Sequence, residues 1–160
     1  MNHFFENITG YSKFKEQGVL LNYVCKKINC NNLKILELNR IFNQKINKLP
    51  NLECIKFGYE FNQNIDNLPS SIKEIHFGEK FNQTVNFLPK NLKVLIFDDS
   101  FNKPVDNLPC NLQKLIFGIS FNQHVDHLPS NITKIVFGED FNQSVNLLPS
   151  SLQNLYFGEF

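Results

Sequence analysis

The dipeptide Phe-Asn recurs along this chain at nearly constant spacing, nineteen residues apart once and twenty residues apart thereafter. The phenylalanines that begin these pairs are Phe42, Phe61, Phe81, Phe101, Phe121 and Phe141. A period of this length is typical of solenoids, in which each coil is too small to bury its apolar side alone and stacks on its neighbours. The spacing therefore predicts a repeat solenoid, mainly β.

Each repeat opens with the pattern L-x-x-L-x-F, in which the last two apolar residues flank a polar or variable one. With the leading apolar residue taken as position one, the repeats begin at Leu33, Leu52, Ile72, Leu92, Leu112, Ile132 and Leu152. Alternation of this kind indicates a short strand with one buried face. We predict about seven such strands, one in each coil, at a spacing of about 4.8 Å.

The rest of each repeat contains turn signals. Position seven is always Gly, Asn or Asp, residue types that tolerate a positive φ, so we expect a sharp turn with positive φ after each strand. Position seventeen is Leu followed by Pro, and a residue before Pro is pushed toward extended conformations. Each coil is therefore predicted to contain a strand, a tight turn and an extended return segment.

Identical residues lie above one another when coils stack. Position ten would then form a stack of Phe rings, and position eleven a ladder of asparagines. The ladder residues are Asn43, Asn62, Asn82, Asn102, Asn122 and Asn142. An amide both donates and accepts hydrogen bonds, so it suits a place where turns leave backbone groups open. A ligand-binding or metal-binding role is the competing interpretation, but identity in every repeat is typical of a scaffold requirement.

Composition and charge exclude several classes of function. Of the 160 residues, 42% are hydrophobic, which suffices for a core, and the formal net charge is +1. Such a charge provides no basic field for nucleic acid and no polybasic signal for a membrane. The four cysteines do not follow the repeat, which favours reduced thiols, and the sequence shows neither a signal peptide nor a bilayer-spanning apolar run. We expect an intracellular, cytoplasmic protein without nucleic-acid or membrane partners.

The recurring pattern FGxxFNQxVxxLPxxLxxL resembles the FNIP repeat, a class related to leucine-rich repeats that occurs in social amoebae and in large viruses that infect amoebae. The resemblance covers about residues 31–160. It implies a leucine-rich-repeat-like, right-handed coil with a parallel sheet on its concave face and extended or turn segments on its convex side. It also implies an interaction role without catalysis, in the host cytoplasm if the chain is viral.

Residues 1–30 are not repetitive and form a separate segment. Phe14, Leu21, Val24 and Ile28 have the spacing of one helix face, which predicts a helical cap over the first coil. The resemblance to FNIP repeat proteins also suggests an F-box, since many proteins of that class carry one ahead of the repeats. The alternative is therefore a diverged F-box, which would make the chain a substrate-recognition subunit of a ubiquitin ligase, although thirty residues are short for that three-helix module.

No constellation of catalytic residues stands out in the sequence. His124 and His127 are three residues apart, but two other repeats hold a pair of Lys or of Asn residues at the same positions. We interpret these histidines as surface substitutions rather than zinc ligands, since a zinc site needs further ligands nearby. Cys25 and Cys30 likewise lack a second pair. The sequence predicts no enzyme activity, no cofactor and no metal site.

Positions three, five and eight are predicted to point away from the core, toward the concave surface. Position five changes from charged residues in the first repeats to apolar residues in the last four. With their neighbours at positions three and eight, these residues form a candidate partner-binding patch, which we call the apolar patch: Val94, Ile96, Ile116, Ile119, Val136 and Tyr156. A contiguous apolar column with a charged rim is typical of a binding surface, whereas the alternative is a choice of β-branched residues for strand propensity alone.

The last repeat stops at FGEF, and Phe160 lies one position earlier than the usual Phe. A strand placed there would expose its backbone edge and the end of the apolar core. We expect a homodimer in which two copies pair through this edge, whose residues are Leu155, Phe157 and Phe160. The alternative is a monomer in which Phe160 folds back over the core.

Overall fold

The computed structural model describes residues 34–46 and 49–158. Within these residues the chain forms seven short strands and no helix. The strands are β1 (Ile35–Glu37), β2 (Cys54–Lys56), β3 (Glu74–His76), β4 (Val94–Ile96), β5 (Lys114–Ile116), β6 (Lys134–Phe137) and β7 (Asn154–Phe157). They form one sheet in sequence order, and every neighbouring pair is parallel. The described chain is a parallel β-solenoid of about six turns, as the repeat period predicted.

The middle residue of each three-residue strand points into the core. These side chains are Leu36, Ile55, Ile75, Leu95 and Leu115, and all are buried. Ile135 of β6 continues the same column and is 0% exposed. Positions one and fourteen of the repeat supply further core columns, so each coil buries an apolar side that it could not cover alone. The alternation read from the sequence correctly identifies the buried face of the strands.

Phenylalanine forms two adjacent columns in the core rather than one. Position six and position ten of the same coil stack closely, with ring centroids 3.6 Å apart for Phe117 and Phe121 and 4.1 Å apart for Phe57 and Phe61. Between coils, the centroids at position ten are 6.0–6.2 Å apart. Stacked aromatic pairs contribute beyond the burial of their area, by about 0.5–1.5 kcal/mol each. The sequence predicted the column at position ten but not its pairing with position six.

The turns after β1 to β6 form, but without the positive φ expected at position seven. Phe61 donates a backbone hydrogen bond to the Gly58 carbonyl at 3.2 Å, which closes the turn after β2. Equivalent bonds close the turns after β1, β3, β4 and β6. Among the described residues only Gly158, which holds position seven after β7, has the expected positive φ, of 89°. Glycine is favoured here because coils approach closely, since a Cβ added to Gly58 would lie 2.0 Å from the Asn39 carbonyl oxygen. Asn39 and Asp98 show that two of the described coils accommodate a side chain at this position.

The return segment has neither helix nor strand. A second turn joins the return segment to the next coil. In this turn the backbone N–H at position one donates a hydrogen bond to the carbonyl of the proline in the Leu-Pro pair, for example from Ile72 to Pro69 at 3.2 Å. None of the described residues forms a helix with the length and apolar character needed to cross a bilayer. The helical cap predicted for residues 1–30 lies outside the described residues.

Candidate functional site

The sheet has an outer face, which we define as the face opposite the core that carries positions three and five. Parallel pairing places position five of one strand beside position five of the next. His76 is therefore the register neighbour of Ile96, Ile96 of Ile116, Ile116 of Val136, and Val136 of Tyr156. The sheet thus brings the position-five residues into one column that is charged over β1 and β2 and apolar from β4 to β7.

Most residues of the apolar patch are accessible to solvent. Ile96 and Ile116 are partly exposed, as is Val94, while Ile119 is 41% and Tyr156 50% exposed.

Val136 is a correction to the predicted patch. This residue is only 4% exposed, although it lies on the outer face and outside the main core cluster. Its register neighbours are Ile116 and the larger Tyr156, so a small side chain between larger ones presents little surface. Val136 therefore supports the column without offering contact area to a partner.

Basic side chains border the carboxyl-terminal end of the patch. The ammonium group of Lys134 lies 5.1 Å from the centre of the Tyr156 ring, in cation–π geometry. Lys114 is the register neighbour of Lys134 on the adjacent strand. Asp99 is partly exposed, and its carboxylate accepts the backbone N–H of Ile119 at 3.4 Å, which places one acidic group beside the patch. Glu139 is exposed.

A polar groove of about 620 Å³ lies beside β1 to β4. Its lining includes Glu53, whose carboxylate forms ion pairs with Lys34 at 2.7 Å and Lys73 at 2.8 Å. Hydrogen bonds from Lys34 and then Lys73 lower the pKa of Glu53 from 4.5 to about 2. The groove is lined by the ammonium groups of Lys34, Lys73 and Lys93 but by only one carboxylate, that of Glu53, so its lining is positively charged despite the two ion pairs.

Three potential metal ligands meet on the outer face at β2 and β3. The ligand atoms of Cys54, Glu74 and His76 all lie within 4.8 Å of one another. Cys54 and Glu74 are partners in the β2–β3 register, and His76 follows Glu74 on the same face, with its Nε2 atom 2.5 Å from Glu74 Oε1. Burial raises the pKa of the Cys54 thiol. The sequence did not indicate this cluster, because Cys54 and Glu74 are twenty residues apart and no linear motif joins them.

The predicted asparagine ladder is hydrogen-bonded in the structure. The Oδ1 atom of every ladder residue except Asn142, the last, accepts the backbone N–H of the ladder residue in the next coil, at 2.9–3.0 Å. A Gln side chain adds a second bond to the same oxygen at Asn43, Asn62, Asn102 and Asn122. The oxygens of these five asparagines thus hold successive coils together.

The histidine pair and the end of the sheet complete the candidate sites. His124 and His127 are exposed and belong to no group of three metal-ligating residues among those described. At β7, Leu155 is 36% and Phe157 55% exposed, whereas Ile135, which is equivalent to Leu155 one coil earlier, is 0% exposed. Phe160, the third residue of the predicted dimer edge, lies outside the described residues.

Comparison with known proteins agrees with the repeat architecture. A family model described as FNIP Repeat matches residues 50–80, 81–120 and 121–160. Among solved structures, the chain is similar to CroV588 from the giant virus CroV, described as a novel circular LRR protein, with a TM-score of 0.75 and 45% sequence identity. The match covers 81% of this chain but only 21% of CroV588, and a search of curated proteins finds no match. From the repeated Phe-Asn turns, the parallel sheet and the matched family model, we conclude that this chain belongs to the FNIP repeat family.

Proposed function

We propose that this chain is a non-catalytic protein-interaction module that binds a protein partner on the outer face of its sheet, on the concave side of a right-handed coil. The observation that carries the proposal is the accessible apolar column on β4, β5 and β7. Ile96 and Ile116 present apolar surface on strands whose other faces are packed into the core, and Tyr156 of β7 continues the column. Exposed apolar surface with a polar rim is characteristic of protein interfaces.

Strand propensity alone does not account for this column. The same position holds Glu37 in β1, Lys56 in β2 and His76 in β3, and these strands pair in the same register as the others. The fold therefore forms without an apolar residue at position five. The basic rim of Lys114 and Lys134 further favours a partner surface that combines an apolar anchor with acidic groups.

The substitution Ile116→Asp tests this proposal. A charge at the centre of the patch should weaken partner binding by more than tenfold, because truncation or desolvation at a central interface residue costs about 2 kcal/mol or more. Ile41→Asp is the matched control, since Ile41 is 45% exposed and lies in a turn away from the patch. Partners captured by the wild-type chain are identified by mass spectrometry, and their dissociation constants are then measured for both variants.

Four outcomes decide between the interpretations. Loss of binding in Ile116→Asp alone, with an unchanged circular dichroism spectrum, supports the outer face as the interface. Equal binding by both variants contradicts it, and unfolding of Ile116→Asp would show that this side chain stabilises the core. Capture of an F-box-binding adaptor that is unaffected by Ile116→Asp would favour the ubiquitin-ligase alternative.

We also propose that two copies of the chain associate through β7. The edge of β7 that points away from β6 pairs with no other strand among the described residues. The apolar side chains of β7 are also far more exposed than their counterparts in β6. A two-fold contact would use this surface twice and would place the two β7 strands antiparallel. Leu155 and Phe157 would then become buried against the same residues of the second copy.

A further inference from the structure

We propose that Cys54, Glu74 and His76 form a binding site for a zinc ion on the outer face of the sheet. Their three ligand atoms lie within 4.8 Å of one another, and the side chains come from two adjacent strands in register. A thiolate, an imidazole nitrogen and a carboxylate oxygen are the three ligand types that zinc uses in proteins. Calcium and magnesium prefer oxygen ligands alone, so this donor set selects for zinc.

The repeat itself indicates that these residues are not required by the scaffold. Position three holds Ile35, Val94, Lys114, Lys134 and Asn154 in the other strands, and each of these strands pairs in the same way. No other described strand carries Cys at position three or His at position five. The strand fold therefore explains neither residue type, and the two departures from the repeat meet at one point on the outer face.

The geometry requires only side-chain adjustment. With ordinary zinc–ligand bond lengths, ligand atoms in a tetrahedral site lie about 3.3–3.7 Å apart. The pairs that are now up to 4.8 Å apart would need to close by about 1 Å, while the His76–Glu74 contact at 2.5 Å would open by a similar amount. The side chains of His76 and Glu74 are 29% and 41% exposed, so both can rotate without moving the strands.

Cys54 is placed as a metal ligand rather than as a core residue. It is 8% exposed, yet it does not belong to the main core cluster, because its side chain lies on the outer face. With a thiolate at Cys54 and a carboxylate at Glu74, the two negative charges balance a divalent cation. The neighbouring ammonium group of Lys56 is paired with Glu37 at 2.6 Å, so that positive charge is already compensated. The fourth tetrahedral position would be taken by water.

A competition titration on the full chain tests the site. The chain is prepared without metal in a non-thiol reductant, and Zn²⁺ is titrated in the presence of a chromophoric chelator of known affinity. We expect one ion per chain at this site. Cys54→Ser and His76→Gln should each weaken binding by more than about tenfold, since loss of a partner that merely orients a ligand already costs about 10–100-fold. Co²⁺ should give a thiolate charge-transfer band that Cys54→Ser abolishes.

Matched controls locate the site. Cys110→Ser and His124→Gln change an exposed thiol and an exposed imidazole elsewhere in the solenoid, and both should bind Zn²⁺ like the wild-type chain. If Cys54→Ser alters the metal-free circular dichroism spectrum, the surface variant His76→Gln decides the result. Zinc binding that is equally tight in the wild-type chain and in the Cys54→Ser, His76→Gln double variant would overturn the proposal, as would loss of binding in Cys110→Ser.

Discussion

The asparagine ladder offers a quantitative test of how the coils are held together. In the wild-type chain, Asn102 Oδ1 accepts the backbone N–H of Asn122 at 3.0 Å and the Nε2 of Gln123 at 2.8 Å. Asn82 Oδ1 accepts the backbone N–H of Asn102 at 3.0 Å. It receives no Gln bond, because Lys103 replaces the Gln of the other coils. The substitutions Asn102→Ala and Asn82→Ala therefore remove two bonds and one bond from equivalent positions.

The expected losses of stability follow from the number of hydrogen bonds that each substitution removes. A typical intramolecular hydrogen bond contributes about 1 kcal/mol net to the free energy of unfolding, and a donor left without a partner away from water costs more. Both asparagines are partly buried, so we expect losses of about 2 kcal/mol for Asn102→Ala and about 1 kcal/mol for Asn82→Ala. Asn67→Ala is the control, because Asn67 is exposed and should change stability by less than about 0.5 kcal/mol.

Urea denaturation followed by circular dichroism measures these differences. With a slope near 2 kcal/mol per molar urea, the midpoint should fall by about 1 M for Asn102→Ala and about 0.5 M for Asn82→Ala. Lys103→Gln tests the same reasoning in the opposite direction, since it restores the missing donor to Asn82 and should raise the midpoint. The argument would be refuted if both ladder variants had the same urea midpoint as Asn67→Ala. It would also be refuted if Asn102→Ala and Asn82→Ala had the same midpoint as each other.

Two further predictions concern the polar groove and the end of the sheet. Because Lys34 and Lys73 lower the pKa of Glu53 from 4.5 to about 2, their stabilisation should be present above about pH 4.5 and be lost as the pH falls toward 2. Glu53→Gln should flatten this part of the curve of urea midpoint against pH, and an unchanged curve would contradict the ion-pair assignment. Light scattering at micromolar concentrations should show a dimer mass that Phe157→Lys converts to a monomer mass, whereas a wild-type monomer throughout would contradict association through β7.

The regular part of the architecture could be read from the sequence. The twenty-residue period, the alternation around Leu115 and the Leu-Pro signal together predicted stacked strands joined by turns, and the structure confirms these elements. Such features are local to one repeat, and repetition multiplies the signal. The position of Asn102 in a ladder could be predicted for the same reason, since equal residues in successive coils must lie above one another.

Contacts between coils were decided only by the tertiary structure. The sequence suggested positive φ at Gly58, but the glycine is favoured by the nearby Asn39 carbonyl of the preceding coil, a distance that no local pattern contains. The burial of Val136 likewise depends on its neighbours across the sheet. Cys54 and Glu74 belong to different repeats, and only the register of β2 with β3 places them together. The sequence by itself determined what each coil looks like, whereas stacking decided which side chains from different coils meet, because those meetings depend on the close spacing of strands that lie twenty residues apart in the chain.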